Sequence, residues 1–145
     1  MRFQRVSDWP ARLAHVVEAE RLRPFDWGTA DCCLFVGDCI LAMTGIDPAS
    51  EFRGRYMTAR GAQRCLRRYC GGGVEALAEK IAAEYRMPEI LPKMAQRGDA
   101  VLLRTPECPP EGKSVGICVG VLMAAQGPQG LTMVPVERVL RAWRV

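Results

Sequence analysis

Histidine is almost missing from this chain: His15 is the only one in 145 residues. That scarcity removes the imidazole sets that commonly hold metals, and it leaves any nucleophile one histidine to draw on as a base. Lysine is nearly as scarce, so the formal charge of +4 rests on arginine. No apolar run approaches the roughly 20 residues a bilayer requires. The longest, Val115 to Ala125, is interrupted by glycines, and no membrane span is expected. The opening residues, Met1-Arg2-Phe3-Gln4-Arg5, lack an apolar segment followed by a cleavage site, so no signal peptide is expected. Internal repeats, linkers and low-complexity stretches are also missing. Aromatic residues are not interleaved with the basic ones and no reading motif is visible, which argues against nucleic acid as a partner.

The length suits one domain spanning residues 1–145, and 49% apolar with 25% charged residues describes an ordinary globular chain. Seven cysteines make an odd, irregularly spaced set in a chain with an adequate core, so reduced thiols are expected rather than a disulfide framework. Cys32, Cys33 and Cys39 have no second cysteine pair or histidines at zinc spacing. Neither a metal nor a cofactor is expected.

The stretch Pro24 to Val36 stands out. Trp27-Gly28-Thr29-Ala30-Asp31-Cys32-Cys33 brings a glycine turn, a capping residue and a thiol to the start of a strongly apolar helix. Thr29 or Asp31 can cap it, and Cys32, Val36, Cys39, Ile40 and Met43 recur with helical period up to Gly45. Free N–H groups and the helix dipole favour a thiolate at such a position. Cys32 is thus a candidate nucleophile, or else an inert thiol heading the buried stripe. Cys39 reads as a small core residue, and Trp27 as either cleft lining or core packing.

An earlier helix, capped by Ser7 or Asp8 and running to about Arg21, puts Trp9, Leu13, Val16 and Val17 on its apolar side. His15 lies roughly 200° around from Leu13 at ~100° per residue, pointing away from that side. A third helix starts after Thr58 and ends at Gly71-Gly72-Gly73; a fourth, from Val74, ends before Pro88. Arg60, Arg64, Arg67 and Arg68 share one face of the third helix, a solvated face or a docking surface for an acidic partner. The glycine triplet lacks the Lys-Ser/Thr of a phosphate loop and reads as a turn.

From Gly98 the pattern changes to short β-type runs: Asp99 to Arg104, Val115 to Met123, Leu131 to Pro135 and Leu140 to Arg144. Thr105 to Lys113 is a long hairpin connection, and Gln126 to Gly130 the next turn. Arg97-Gly98-Asp99 reads as a turn entering a strand, not as an adhesion motif. Helices followed by a strand meander predict an α+β fold, N-terminal helices packed on a C-terminal antiparallel sheet, with the cysteine helix covering it.

The ordered set Trp27-Gly28, Asp31-Cys32, Gly98-Asp99, and Val115-Gly116-Ile117 with Gly120 resembles the NlpC/P60 peptidases, a papain-like group that cuts bacterial cell-wall peptides. The resemblance runs from Pro24 to about Leu122, and the phrasing looks closest to small phage- and prophage-encoded relatives that accompany tail genes. It implies a papain-like fold with Cys32 as nucleophile, Asp31 as the acidic residue before it, and Cys33 where the family usually has serine. The family's base is a histidine directly before Val-Gly-Ile; here Ser114 occupies that position. Its third polar residue, which orients the base, would lie on the strand after Gly120, where Thr132 is the candidate.

A serine hydroxyl cannot take the thiol proton at neutral pH and return it to a leaving amine. Rescue by His15 would require the first helix to turn its polar face toward Cys32. The resemblance therefore implies a phage or prophage tail-associated, cell-wall-peptidase-type domain that is catalytically degenerate and serves as a structural or plug component of the tail hub or tip. Two alternatives stay open: an active thiol peptidase or amidase that cuts peptidoglycan peptides through Cys32, and a cytoplasmic binding module unrelated to phage. The implied partners are tail hub or tip proteins, reached through Arg60, Arg64, Arg67 and Arg68, and a peptidoglycan peptide if the thiol is active. The implied location is the virion, or the bacterial cytoplasm before assembly.

Overall fold

The structure is a computed structural model that describes residues 1–108 and 110–145; Pro109, within the expected Thr105 to Lys113 connection, lies outside the described residues. Four helices come first: α1 (Trp9–Glu20), α2 (Cys32–Thr44), α3 (Ala59–Cys70) and α4 (Val74–Glu84). Six strands follow: β1 (Glu89–Ile90), β2 (Ala100–Arg104), β3 (Lys113–Cys118), β4 (Leu122–Gly127), β5 (Gly130–Pro135) and β6 (Val139–Trp143). Short 3-10 turns at Pro92–Met94 and Val136–Arg138 precede β2 and β6.

Local chemistry sets the helix ends. The Asp31 side chain accepts from the Leu34 N–H at the start of α2, and Thr58 accepts from Gly61 at the start of α3. Gly45 and Gly71, both left-handed, close these helices. Thr29, the other expected cap of α2, bonds Asp26 instead. At α1 the Asp8 carboxylate caps no backbone N–H and pairs with Arg12. His15, Arg12 and Glu18 lie exposed on that helix, while Leu13 is buried.

All six strands form one antiparallel sheet in the order β1-β6-β2-β3-β4-β5. An α+β fold with helices on an antiparallel sheet is thus present, with two corrections. The run Val115 to Met123 is not one strand: the chain turns at Val119-Gly120-Val121, with Gly120 at φ 133°, and returns as β4. The strands are also not a simple meander, because β6 crosses back to pair with the free edge of β2 and separates it from β1.

Helix α2 packs between α1 and the sheet, touching β3 and β4. Being covered on several sides, it buries Leu34, Phe35, Val36, Cys39, Ile40 and Met43 rather than one narrow stripe. These residues join Leu102, Ile117, Ala124 and Trp143 in the main core. On the opposite face Val101, Leu103, Cys118, Met123 and Val134 form a second cluster, which Ile90, Ala95 and Val136 complete. Among the described residues no helix is long and apolar enough to cross a membrane.

Asp99 closes the structure where the chain ends meet. Fully buried, it accepts from Arg5 at 3.0 Å, from Arg144 at 3.3 Å and from the Gln96 N–H at 2.9 Å. Arg5 also donates to the Val145 oxygen and lies over the Trp9 ring. Asp99 is therefore a structural carboxylate within a turn. Replacing Asp99 by Ala strands these donors, and a loss of about 1–3 kcal/mol is expected, read as a lower urea midpoint at unchanged slope.

Candidate functional site

The site is built on the loop from Phe25 to Asp31. Asp26 and Ala30 exchange backbone hydrogen bonds at 2.9 and 2.7 Å, folding the intervening residues into a tight turn. Gly28 sits in that turn at φ 85°, and a Cβ there would overlap the Tyr56 carbonyl. Only glycine suits both the conformation and the contact. Asp31, 2% exposed, gathers the pieces: one carboxylate oxygen accepts from Leu34 at 3.0 Å, the other from the Gly28 N–H at 3.1 Å and the Tyr56 hydroxyl at 2.6 Å. Burial and the adjacent Asp31 carboxylate push the Tyr56 phenol well up, so it stays a donor. Cys32 follows as the first residue of α2.

Cys32 is half-buried and Cys33 buried, their sulfurs 4.0 Å apart. The Cys32 thiol is lowered below the ordinary thiol value, chiefly by the Cys33 S–H and also by the Val115 N–H; burial and the Asp31 charge oppose this. Cys33 is pushed well up, by its contact with Cys32 and by burial. At that sulfur separation the S–H contact is weak, but the Val115 N–H and the start of α2 act on Cys32 in the same direction. Within the pair, the surroundings thus lower the Cys32 thiol and raise that of Cys33.

A cavity of about 480 Å³ opens beside Cys32. Phe25 and Trp27, packed edge to face with ring centres 4.6 Å apart, form one wall, and Leu66 and Arg67 of α3 contribute to another. Trp27, 37% exposed, thus lines the cleft and does not sit in the core. A further boundary is the connection between β2 and β3. Its Glu111 accepts from the Val74 N–H at the start of α4, and a Cβ on Gly73 would overlap that carboxylate. Lys113 is anchored to Glu75 at 2.6 Å.

Ser114 borders the same cavity at the start of β3. It is 5% exposed, and its hydroxyl is paired with Thr105 at 3.1 Å. Thr132 lies exposed on β5 and is not part of the cavity wall. The polar residue that the strand after Gly120 does bring to the cavity is Gln126, on β4. Its amide nitrogen donates to the Arg23 and Gly127 carbonyls at 2.8 and 3.0 Å, while its oxygen is buried with no partner among the described residues. Reading Val115 to Met123 as one strand hid this residue, since it pushed Gln126 into the next turn. Splitting that run at Gly120 would have revealed it. Tyr56, also unforeseen, had no sequence signal, because its link to Asp31 spans 25 positions.

His15 takes no part in the cavity wall. Arg60, Arg64, Arg67 and Arg68 are exposed on α3, and none forms an ion pair among the described residues. Arg53, just upstream, is held by Asp38 and Asp47. No group of three or more His, Cys, Asp or Glu side chains among the described residues is arranged to hold a metal ion. Chemically, the site offers one favoured thiolate, a bound serine hydroxyl and an amide oxygen beside an apolar cleft.

Residues 4–145 match the family described as "Domain of unknown function (DUF6950)", and the chain belongs to that family. No curated protein matches it.

The thiol pair predicts a defined titration. Iodoacetamide labelling across pH, read by peptide mapping, should give Cys32 a midpoint below the ordinary thiol value. Cys33→Ala, which removes the S–H donor, should move that midpoint up; no movement would exclude the Cys33 contact as a cause.

Proposed function

We propose that this member of a family without an assigned activity is a papain-like domain of NlpC/P60 descent, catalytically degenerate, that serves as a structural or plug component of a phage or prophage tail hub or tip. The observation that carries the reading is Ser114. It borders the cavity beside Cys32, at the position where the resemblance puts the base, and its hydroxyl is occupied by Thr105. Gln126, not Thr132, supports the third position, since it borders the same cavity from the next strand.

The chemistry follows from what these groups can do. Cleavage of an amide by a thiol needs a group that removes the thiol proton and then protonates the leaving amine. Cys32 partly meets the first need through the Val115 N–H and the Cys33 S–H. Ser114, a neutral hydroxyl, does not meet the second at neutral pH, and the nearby Glu111 and Lys113 are engaged by the Val74 N–H and by Glu75. Loss of a positioned acid–base group costs about 10²–10⁴ in rate. What remains is the shape of a cleft and a reactive sulfur without turnover.

The lowered Cys32 thiol favours a second reading, an active thiol peptidase or amidase with an unconventional base. One assay separates the two. Incubated with purified peptidoglycan, the native chain should release no stem-peptide fragments, and Ser114→His should gain release that disappears when Cys32→Ser is added. Release by the native chain that depends on Cys32 would overturn the degenerate reading. For the tail assignment, the expected result is copurification with tail hub proteins on coexpression with a tail gene cluster from the same genome; assembled tails free of the chain would overturn it.

A further inference from the structure

Arginine is used in two ways in this molecule. Arg5, Arg12, Arg21, Arg23, Arg53, Arg138, Arg141 and Arg144 are each engaged by a carboxylate. The other nine have no ion pair among the described residues, although sixteen acidic residues are present in the chain, and four of these nine lie together on α3. They form a stripe: Arg60 to Arg67 spans seven residues of helix, about 10 Å at ~1.5 Å per residue. Four like charges at i, i+4, i+7 and i+8 repel one another along a helix of only twelve residues. Arg67 and Arg68 find partial relief at the C-terminal end of the dipole. Arg60 and Arg64 have none.

The stripe leads into the cavity. Arg67 is both its last-turn member and part of the cavity wall, beside Gln63 and Leu66. Phe25, Trp27, Cys32 and Gln126 line the same cavity. The Gln126 side chain is 7% exposed, and its orientation is fixed because its nitrogen is committed to two carbonyls. Its oxygen is buried without a partner among the described residues, and the residue borders the cavity.

We propose that α3 and the cavity form one continuous site for an acidic peptide segment of a partner protein, with carboxylates along Arg60, Arg64 and Arg67 and an apolar residue seated between Trp27 and Leu66. This rests on the reading of the cleft as one that binds without cutting, and it adds the chemistry of the occupant. Gln126, which lines the cavity, borders the seated residue. A polypeptide fits this combination better than a nucleic acid: four guanidiniums are fewer than the six to ten phosphate contacts of an ordinary nucleic-acid site, by rough count. The Glu111 carboxylate at the cavity boundary would also face a phosphate backbone.

The probe is a fluorescein-labelled peptide of about ten residues, rich in Asp and Glu and ending in Leu-Phe, long enough at ~3.3 Å per residue to span stripe and cavity. Fluorescence anisotropy with the full chain should show binding about tenfold or more tighter than for the same peptide with Lys at the acidic positions. Binding should weaken between about 50 and 200 mM salt. The triple change Arg60→Ala, Arg64→Ala, Arg67→Ala, all at exposed positions, should weaken it at least about tenfold. The peptide should also slow iodoacetamide labelling of Cys32 severalfold, and Gln126→Met should weaken binding without affecting that of the isolated acidic stretch lacking Leu-Phe.

Equal affinity for the triple variant, or binding that leaves Cys32 labelling unchanged, would overturn the proposal. So would displacement by a single-stranded oligonucleotide of the same charge at equal concentration. Mass spectrometry of the bound peptide keeps the two readings apart: an intact peptide agrees with both. A cut one overturns the degenerate reading above while its binding still supports this site.

Discussion

The candidate site depends on the buried Asp31 carboxylate. Alone it would be costly to remove from water; here three donors from three parts of the chain converge on it: the Gly28 turn, the first turn of α2 and the Tyr56 hydroxyl. Each donor fixes a different coordinate of Cys32. The Leu34 N–H sets where α2 begins, Gly28 sets the path of the chain into it, and Tyr56 ties both to the segment leading into α3. The thiol is positioned by a network in which it takes no part.

That separation makes the shape of the cleft independent of the chemistry at position 114. Asp31, Gly28 and Tyr56 hold the helix start whether or not anything at position 114 can move a proton. Glu111 does the same for the connection between β2 and β3, since it bonds the Val74 N–H across a gap that Gly73 leaves open. Geometry and reactivity are thus maintained by different residues. Loss of one does not entail collapse of the other.

How much of this was readable in the residues follows the range of each interaction. The starts and ends of α2 and α3 were legible, because Asp31, Gly45, Thr58 and Gly71 act on backbone groups within a few positions. Cys32 beside a turn was legible for the same reason. The hairpin at Gly120 was not, since it is flanked by Val119 and Val121 and carries none of the polar residues that usually mark a turn; Val121 is 89% exposed there. That omission hid Gln126, which borders the cavity where the expected Thr132 does not. The position of β6 in the sheet and the bond from Tyr56 to Asp31 depend on pairings between distant segments, which no local pattern specifies. β1, two residues long, is too short to produce a pattern.

The place of β6 also bears on how the molecule is made. It is the last of the six strands to be synthesised, yet it lies inside the sheet, between β1 and β2. While residues 139–143 are still on the ribosome, the edge of β2 has no neighbour on that side and the Trp143 position in the main core is empty. The nascent chain can form its helices and the β2 to β5 hairpins, but it carries an open strand edge until translation passes residue 143, a state prone to pairing with other chains. Completion of the sheet is therefore a late event in the folding of these residues.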